Sequence, residues 1–248
     1  MKKIIMLILV VALCAATFAS CNLFKGDDTP TTNEPVTNEP VTNEPTDLEK
    51  VAEMYKNSAP TKVTASTKQT ISSSLVLECS YELVNGKVGD AAASVYTEKK
   101  QELETVETGG GTEVIKPLVK ETTRVTEAID GVGSRLNGGT WNTQGTVSTI
   151  APGGMSIKLN ADNLKNVKYE NNTLTFTVPK DKVASVFGKS YATNIVSDVK
   201  VTIVDNGAEI TSIELSYNLA GDEDANLPAS KMVVKVEYTY DLEVITIS

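Results

Sequence analysis

The chain has 248 residues, a formal net charge of −9 and no histidine. The missing histidine excludes Ser-His-Asp and Cys-His nucleophiles, imidazole metal ligands and histidine pH switches. The acidic balance without a long basic run argues against nucleic acid as a partner, because phosphate neutralisation needs clustered Lys and Arg. Carboxylates are plentiful, but none pair in a recognisable catalytic motif. We therefore predict a protein that is not an enzyme.

The first twenty residues have the order of a secretory signal peptide. Lys2 and Lys3 give a positive start, residues 4–16 form an unbroken apolar run, and small residues follow up to Ser20. The apolar run is too short to span a hydrocarbon core of about 30 Å comfortably. No second run of spanning length follows, so we predict that the mature chain is not a transmembrane protein.

The leader ends in Phe18-Ala19-Ser20-Cys21. Ala19, Ser20 and Cys21 resemble the lipobox of bacterial lipoproteins, whereas Phe18 stands where Leu is usual. The resemblance implies cleavage between Ser20 and Cys21, a diacylglycerol on the Cys21 thiol and an acyl group such as palmitate on the new amine. The alternative is an ordinary secretion signal that happens to end at a cysteine.

This interpretation places the protein outside the cytoplasm, attached to a bacterial membrane and facing the cell surface or the periplasm. Loss of residues 1–20 removes two lysines and no acids, which lowers the net charge from −9 to −11. Anionic lipid would repel such a chain, so the acyl anchor, at about 0.8 kcal/mol per buried CH₂, would hold it at the membrane. Only Cys79 then remains free, which rules out an intramolecular disulfide. We predict no cofactor beyond the covalent anchor.

Residues 21–46 are predicted to be a lipidated, disordered linker. The unit Thr32–Val36 recurs at residues 37–41 and again from Thr42. Proline at every fifth position blocks helix and sheet pairing, and one glutamate per repeat adds mutual repulsion. The linker would keep the domain of residues 47–248 clear of the membrane.

The domain is predicted to begin with a helix capped by Asp47 and ending near Lys56. Residues 61–84 then alternate apolar and polar side chains, which predicts one long strand or two strands with a bend. Asn85-Gly86 carries a hairpin-turn signal. The predicted apolar face consists of Val63, Ala65, Ile71, Leu75, Leu77, Cys79, Tyr81 and Leu83.

A second pair of strands is predicted over residues 91–107 and 112–129, around the glycines at 109–111. Its outer parts are strongly charged, which suits an exposed hairpin or sheet edge. The charged residues concerned are Lys99, Lys100, Glu102, Glu104, Lys120, Glu121 and Arg124.

The remaining elements continue the β pattern. Residues 156–159 carry a strand signal, and Asn171-Asn172 predicts a turn between two further strands. Residues 179–187 predict a short helix. Residues 205–207 predict the next hairpin turn, and residues 232–244 predict the last one-sided strand. We expect a mainly β (α+β) fold: a long curved antiparallel sheet or half-barrel with two short helices, on a disordered stalk.

Three candidate sites come from local motifs. Trp141 lies in a glycine-rich segment and is a candidate ligand contact, although a core aromatic is the favoured interpretation. Asp222, Asp224 and Asn226 alternate like the start of a calcium loop, but the expected glycine and closing glutamate are missing, so we predict no metal. The S-x-x-K match at residues 197–200 opens a strand, where its two side chains would point to opposite faces, and is rejected.

The element order of residues 47–248, together with the anchor, resembles the LolA/LppX-type lipoproteins. That resemblance implies a half-open β-barrel whose helices cover an apolar cavity for acyl chains. We therefore predict a monomeric, non-catalytic binding module, with a lipid or another hydrophobic molecule as its ligand. The alternative is a cell-surface scaffold or adhesin-like domain with a filled core. The volume of any enclosed apolar cavity distinguishes the two.

Overall fold

The computed structural model describes residues 46–104, 118–143, 157–221 and 228–241, together with Ile245 and Ile247. These residues form one open, curved, antiparallel sheet of ten strands with short helices, which confirms the predicted fold class. The strands are β1 (Lys62–Ser72), β2 (Leu75–Val88), β3 (Ala91–Glu104), β4 (Leu118–Ile129), β5 (Gly133–Leu136), β6 (Lys165–Glu170), β7 (Thr173–Val178), β8 (Val199–Asp205), β9 (Ile210–Leu219) and β10 (Ser230–Thr239).

The sheet consists of two meanders joined at its centre. Its strand order is β5-β4-β3-β2-β1-β10-β9-β8-β7-β6, so the first and last strands are neighbours. Ala65 lies opposite Val236 in this central pair, and both side chains face the same side of the sheet. We call β1–β5 the N-terminal half-sheet, β6–β10 the C-terminal half-sheet and the β1–β10 pair the seam.

The first helix, α1 (Asp47–Asn57), begins one residue earlier than predicted. Its N-cap is Thr46, not Asp47: the Thr46 side chain accepts a hydrogen bond from the Glu49 amide, and the Glu49 carboxylate accepts one from the Thr46 amide. This reciprocal capping box satisfies two free N–H groups at once, which a lone Asp at the cap would not do. Val51 of α1 is fully buried.

The long alternating segment forms two strands, β1 and β2, joined by a tight turn at residues 73–74. The turn predicted at Asn85-Gly86 is wrong, because both residues pair within β2, opposite Ser94 and Ala93. The chain reverses instead at residues 89–90, where Gly89 has φ +60. Glycine tolerates this left-handed conformation, so the turn forms there and β2 keeps its alternation.

Most other local predictions are confirmed, although the last strand, β10, ends at Thr239 and not at the predicted residue 244. Asn171 and Asn172 turn the chain between β6 and β7 with φ of 50° and 58°, and residues 206–209 separate β8 from β9. The predicted helix comprises a 3₁₀ turn (Lys180–Lys182) and α2 (Val183–Phe187), followed by a further helical turn, α3 (Lys189–Ala192). Residues 157–159 are not in a strand, so that prediction is wrong for them.

One large hydrophobic core lies between the sheet and its helices. It includes buried side chains of β7–β10, α1 and α2, together with Ile157, Leu164 and Ile195, and it reaches Val63 and Ala65 of β1. We call it the main core and the side of the sheet that carries it the inner face. The fully buried large side chains of the main core are Leu174, Ile203, Ile210, Ile213, Val51, Val178, Val183, Val186, Val199 and Val201.

Candidate functional site

The inner face of β2 carries four buried side chains, Leu77, Cys79, Tyr81 and Leu83, which we call the inner strip. Each is between 5% and 8% exposed. Among the described residues, none of these four belongs to the main core. Leu83 belongs to a small second cluster, with Ala128 of β4 and, packed against it, Tyr96 of β3.

The inner face changes from apolar to charged between β2 and β3. Glu98 lies directly opposite Tyr81 and Lys100 directly opposite Cys79, so both charges share the face of the inner strip. Lys100 Nζ forms an ion pair with a Glu98 carboxylate oxygen, and the two side chains are only 13% and 10% exposed. The sequence predicted an exposed position for Lys100, and the structure corrects that, because inward alternation places it beside β2.

Two further polar groups extend this charged region. Arg124 of β4 lies directly opposite Glu98, is exposed, and makes no ion pair with another described residue. The Ser94 hydroxyl, two inward positions beyond Glu98 on β3, is fully buried and has no hydrogen-bond partner among the described residues. We call Glu98, Lys100 and Arg124 the inner charge cluster.

Cys79 is a free, buried thiol, as the alternation predicts. Its Sγ approaches the Gln101 carbonyl oxygen at 4.0 Å, a weak contact at most. Because Cys79 lies in the inner strip beside Lys100, the reactivity of its thiol measures how accessible that surface is.

The opposite, outer face carries a shallow polar groove of about 310 Å³ across the seam. Lys235 Nζ lies 2.6 Å from a Glu237 carboxylate oxygen there, and this hydrogen bond raises the pKa of Lys235. Paired charges and hydroxyls give the groove little affinity for hydrocarbon. The lining residues are Thr64, Ala65, Ser66, Ser80, Tyr81, Glu82, Thr97, Lys99, Lys235 and Glu237.

Trp141 lies against the edge of the N-terminal half-sheet. The Arg135 guanidinium is 4.9 Å from the centre of its ring, a cation–π distance. Arg135 Nε in turn donates to a Glu127 carboxylate oxygen at 2.6 Å, and both charged side chains are nearly buried. One ring face is therefore occupied by Arg135. A ligand contact at Trp141 stays a prediction, restricted to its other face and its edge.

Gly133 allows the segment of Trp141 to pack this closely. It has φ +109, and a Cβ atom there would lie 2.1 Å from the Asn142 carbonyl oxygen. Asn142 pairs with Ser134 of β5 through two backbone hydrogen bonds, of 3.0 and 2.6 Å. The segment therefore covers part of the edge of β5.

The other predicted site residues lie outside the described residues. These are Ser20 and Cys21 at the cleavage site, and Asp222, Asp224 and Asn226 of the calcium-like loop. Among the residues that the structure describes, no three His, Cys, Asp or Glu side chains group as metal ligands. Within the same residues, no helix combines the length and apolar character needed to cross a membrane.

The Ser197 hydroxyl has structural partners. It donates to the Asp198 carbonyl oxygen at 2.9 Å and accepts from the Asn218 amide at 2.8 Å. Lys200 lies in β8 and is exposed. The S-x-x-K match therefore opens a strand, as predicted.

No family model matches the chain, and no curated protein does. Among solved structures, the chain is similar to LprF from Mycobacterium bovis, at 10% identity over 80% of this chain and 94% of that one, with a TM-score of 0.36. It is also similar to Rv2717c from M. tuberculosis, at 9% identity over 77% and 96%, with a TM-score of 0.26. A third is the LolA superfamily protein NE2245 from Nitrosomonas europaea, at 10% identity over 80% and 93%, with a TM-score of 0.23. Alignments this loose leave the function to be inferred from the residues of this chain.

Proposed function

We propose that the protein is a membrane-anchored, extracytoplasmic lipoprotein whose domain binds a hydrophobic ligand without catalysing a reaction. One observation carries the proposal: the inner strip is apolar and lies outside the main core. The C-terminal half-sheet already packs its inner face against helices, whereas β2 offers Leu77, Cys79, Tyr81 and Leu83 beside that core.

The neighbouring strand β1 presents small side chains beside the inner strip. Ala65 and Thr67 of β1 lie opposite Tyr81 and Cys79, and both are small. We propose that a narrow hydrocarbon chain lies along this row of small and large side chains. The proposed ligand site is therefore the inner face from β1 to β3.

The thiol of Cys79 provides a direct test. In a chain of residues 22–248, which contains every described strand and helix, it is the sole cysteine. We expect a bound C16 or C18 fatty acid to slow the reaction of Cys79 with Ellman's reagent at least several-fold. The matched control is Ser80→Cys in a Cys79→Ser background, which presents a thiol on the outer face of the same strand.

The two thiols together make the result decisive. Protection of Cys79 without protection of the outer-face thiol supports the inner-face site. Equal protection of both, or of neither, would contradict it. Mass spectrometry of lipid that copurifies with the natively prepared chain gives an independent readout, and its repeated absence would count against a carrier.

Anchoring is a separate part of the proposal and rests on the lipobox-like residues 19–21. We expect Cys21→Ser to release an otherwise folded domain from membranes, because the −11 mature chain has no other evident means of attachment. Fractionation of cells expressing either form measures this. Retention of the Cys21→Ser form in the membrane fraction would contradict the anchor, whatever the ligand-binding result.

The second candidate function is a surface scaffold with a filled core. The extent of the main core over the C-terminal half-sheet favours it, as does the polar outer groove. On this hypothesis neither fatty acid nor copurified lipid is found, and Cys79 reacts at one rate with or without lipid. The thiol experiment therefore separates the two functions.

A further inference from the structure

We infer that the ligand is an anionic amphiphile whose headgroup binds at Lys100 and Arg124 of the inner charge cluster. This inference rests on the proposed function and specifies the class of ligand. It begins from an ion pair, Lys100 with Glu98, on the face that carries the inner strip of β2.

A nearly buried ion pair adds little to the free energy of unfolding. The desolvation of two charges commonly offsets their attraction, so apolar replacements of similar volume are often as stable or more so. Glu98 and Lys100 nevertheless lie inward, at 10% and 13% exposure, beside Tyr81 and Cys79. Charges in this position act strongly on any ligand held by the inner strip, because the surroundings screen them less than water does.

The net charge of the inner charge cluster favours an anionic ligand. Lys100 and Arg124 contribute two positive charges and Glu98 one negative charge, which leaves a net charge of +1 in a protein of −9. Arg124 has no carboxylate partner among the described residues, and a guanidinium binds a carboxylate through two parallel hydrogen bonds. A ligand with a single carboxylate or phosphate charge would neutralise the cluster and leave the Glu98–Lys100 pair intact.

The placement of the cluster suits a molecule with two unlike ends. Residues of the inner strip lie on β2, Lys100 on the next strand and Arg124 one strand further. Neighbouring strands are about 4.8 Å apart, so a chain lying along β2 has its polar end about 5–10 Å from the two cations.

A fluorescent fatty acid and its ester test the inference. cis-Parinaric acid and its methyl ester share one hydrocarbon chain and differ in the charged headgroup. Their dissociation constants are measured by fluorescence on residues 22–248 near neutral pH. We expect the acid to bind at least about tenfold more tightly, as one charge-assisted hydrogen bond would give. Acetate and inorganic phosphate should not displace it, because they lack the chain.

Substitution of Arg124 assigns the preference to the cluster. Arg124 is exposed, so Arg124→Gln should fold, and we expect it to lower acid affinity about tenfold towards that of the ester. Arg124→Lys should keep most of the preference. Lys99→Gln removes an exposed positive charge from the outer face of β3 and should leave both affinities unchanged.

Each outcome separates this inference from the proposed function. Equal affinity for acid and ester, or an Arg124→Gln change that weakens both alike, would overturn the headgroup subsite and leave hydrophobic binding standing. Displacement of the acid by acetate or phosphate would indicate a site for free anions and overturn the amphiphile. Failure of both probes to bind would overturn the proposed function, and this inference with it.

Discussion

The strands of both half-sheets alternate inward and outward side chains, but the inward side chains of the two halves differ in chemistry. In the C-terminal half, inward side chains of β7–β10 meet those of α1 and α2 and form one continuous core. In the N-terminal half, the inner face passes from the apolar β2 to an ion pair on β3 and an exposed arginine on β4. The difference shows that alternation determines which side chains face inward, whereas the chemistry of those inward residues determines whether they join one continuous core.

The largest loss of stability is expected for a substitution in the seam, where the two half-sheets meet. Val236 is 5% exposed, belongs to the main core and lies in the seam. We expect Val236→Asp to prevent folding, because an unpaired buried charge adds to the lost packing of both halves. Lys231→Asp, at an exposed position of the same strand, should fold. Circular dichroism and a denaturation curve decide this, and a cooperative transition for Val236→Asp would contradict it.

The ion pairs on the two faces of the N-terminal half should respond differently. Lys100→Gln leaves Glu98 nearly buried and unpaired, and we expect it to lower the free energy of unfolding by about 3–5 kcal/mol. Lys68 pairs with Glu78 at 3.0 Å, with both side chains more than half exposed. Lys68→Gln should therefore cost less than about 1 kcal/mol. Urea denaturation measures both variants.

The double variant Glu98→Leu with Lys100→Met completes this comparison. We expect a stability equal to or above that of the wild type, because apolar side chains replace a pair with a high desolvation cost. Loss of several kcal/mol in the double variant would mean that the pair stabilises the fold, and it would weaken the case for a ligand-binding role.

A matched leucine pair measures the packing of the two halves. Leu174 of β7 is fully buried in the main core, whereas Leu77 of β2 is 7% exposed and lies outside it. Truncation of a buried leucine to alanine costs about 2–5 kcal/mol, depending on how tightly its neighbours pack. We expect Leu174→Ala near the upper end and Leu77→Ala near the lower end. Equal losses would mean that both halves have filled cores.

The smallest effect concerns alkaline stability of the main core. Burial raises the pKa of Tyr55 to about 12 and also raises that of Tyr238. A raised phenol pKa means that the folded state favours the protonated form, so this stability is fully present below about pH 10 and is lost as the pH rises towards 12. Tyr55→Phe should flatten the decline in unfolding free energy between pH 10 and 12. An unchanged slope would contradict this assignment.

Much of the fold could be predicted because strand alternation and turn residues are local signals. The inward residues of β2 and β10 and the turns after Glu170 and Asp205 follow from them. Two local predictions failed through competition between neighbouring signals. The turn forms at Gly89-Asp90 and not at Asn85-Gly86, because Asn85 and Gly86 pair with β3. The helix is capped by Thr46 and not by Asp47, because Thr46 and Glu49 cap each other reciprocally.

The candidate site could be predicted only in part. The apolar members of the inner strip were expected, but Lys100 was assigned to an exposed hairpin. The spacing Tyr96-x-Glu98-x-Lys100 carries the same period as the inner strip, and it shows which face is charged once β3 is aligned with β2. That alignment and the separation of Leu77 from the main core are tertiary features, so local patterns do not contain them.

The seam has a consequence for how the protein folds. Thr61 donates a hydrogen bond to the carbonyl of Thr239, 178 residues further along the chain. Each meander can form from contacts between neighbouring segments, but the sheet becomes continuous only when β10 pairs with β1. Contacts of such long sequence separation slow folding. Until β10 pairs with β1, one edge of β1 has unpaired backbone groups, to which a strand of another chain can add.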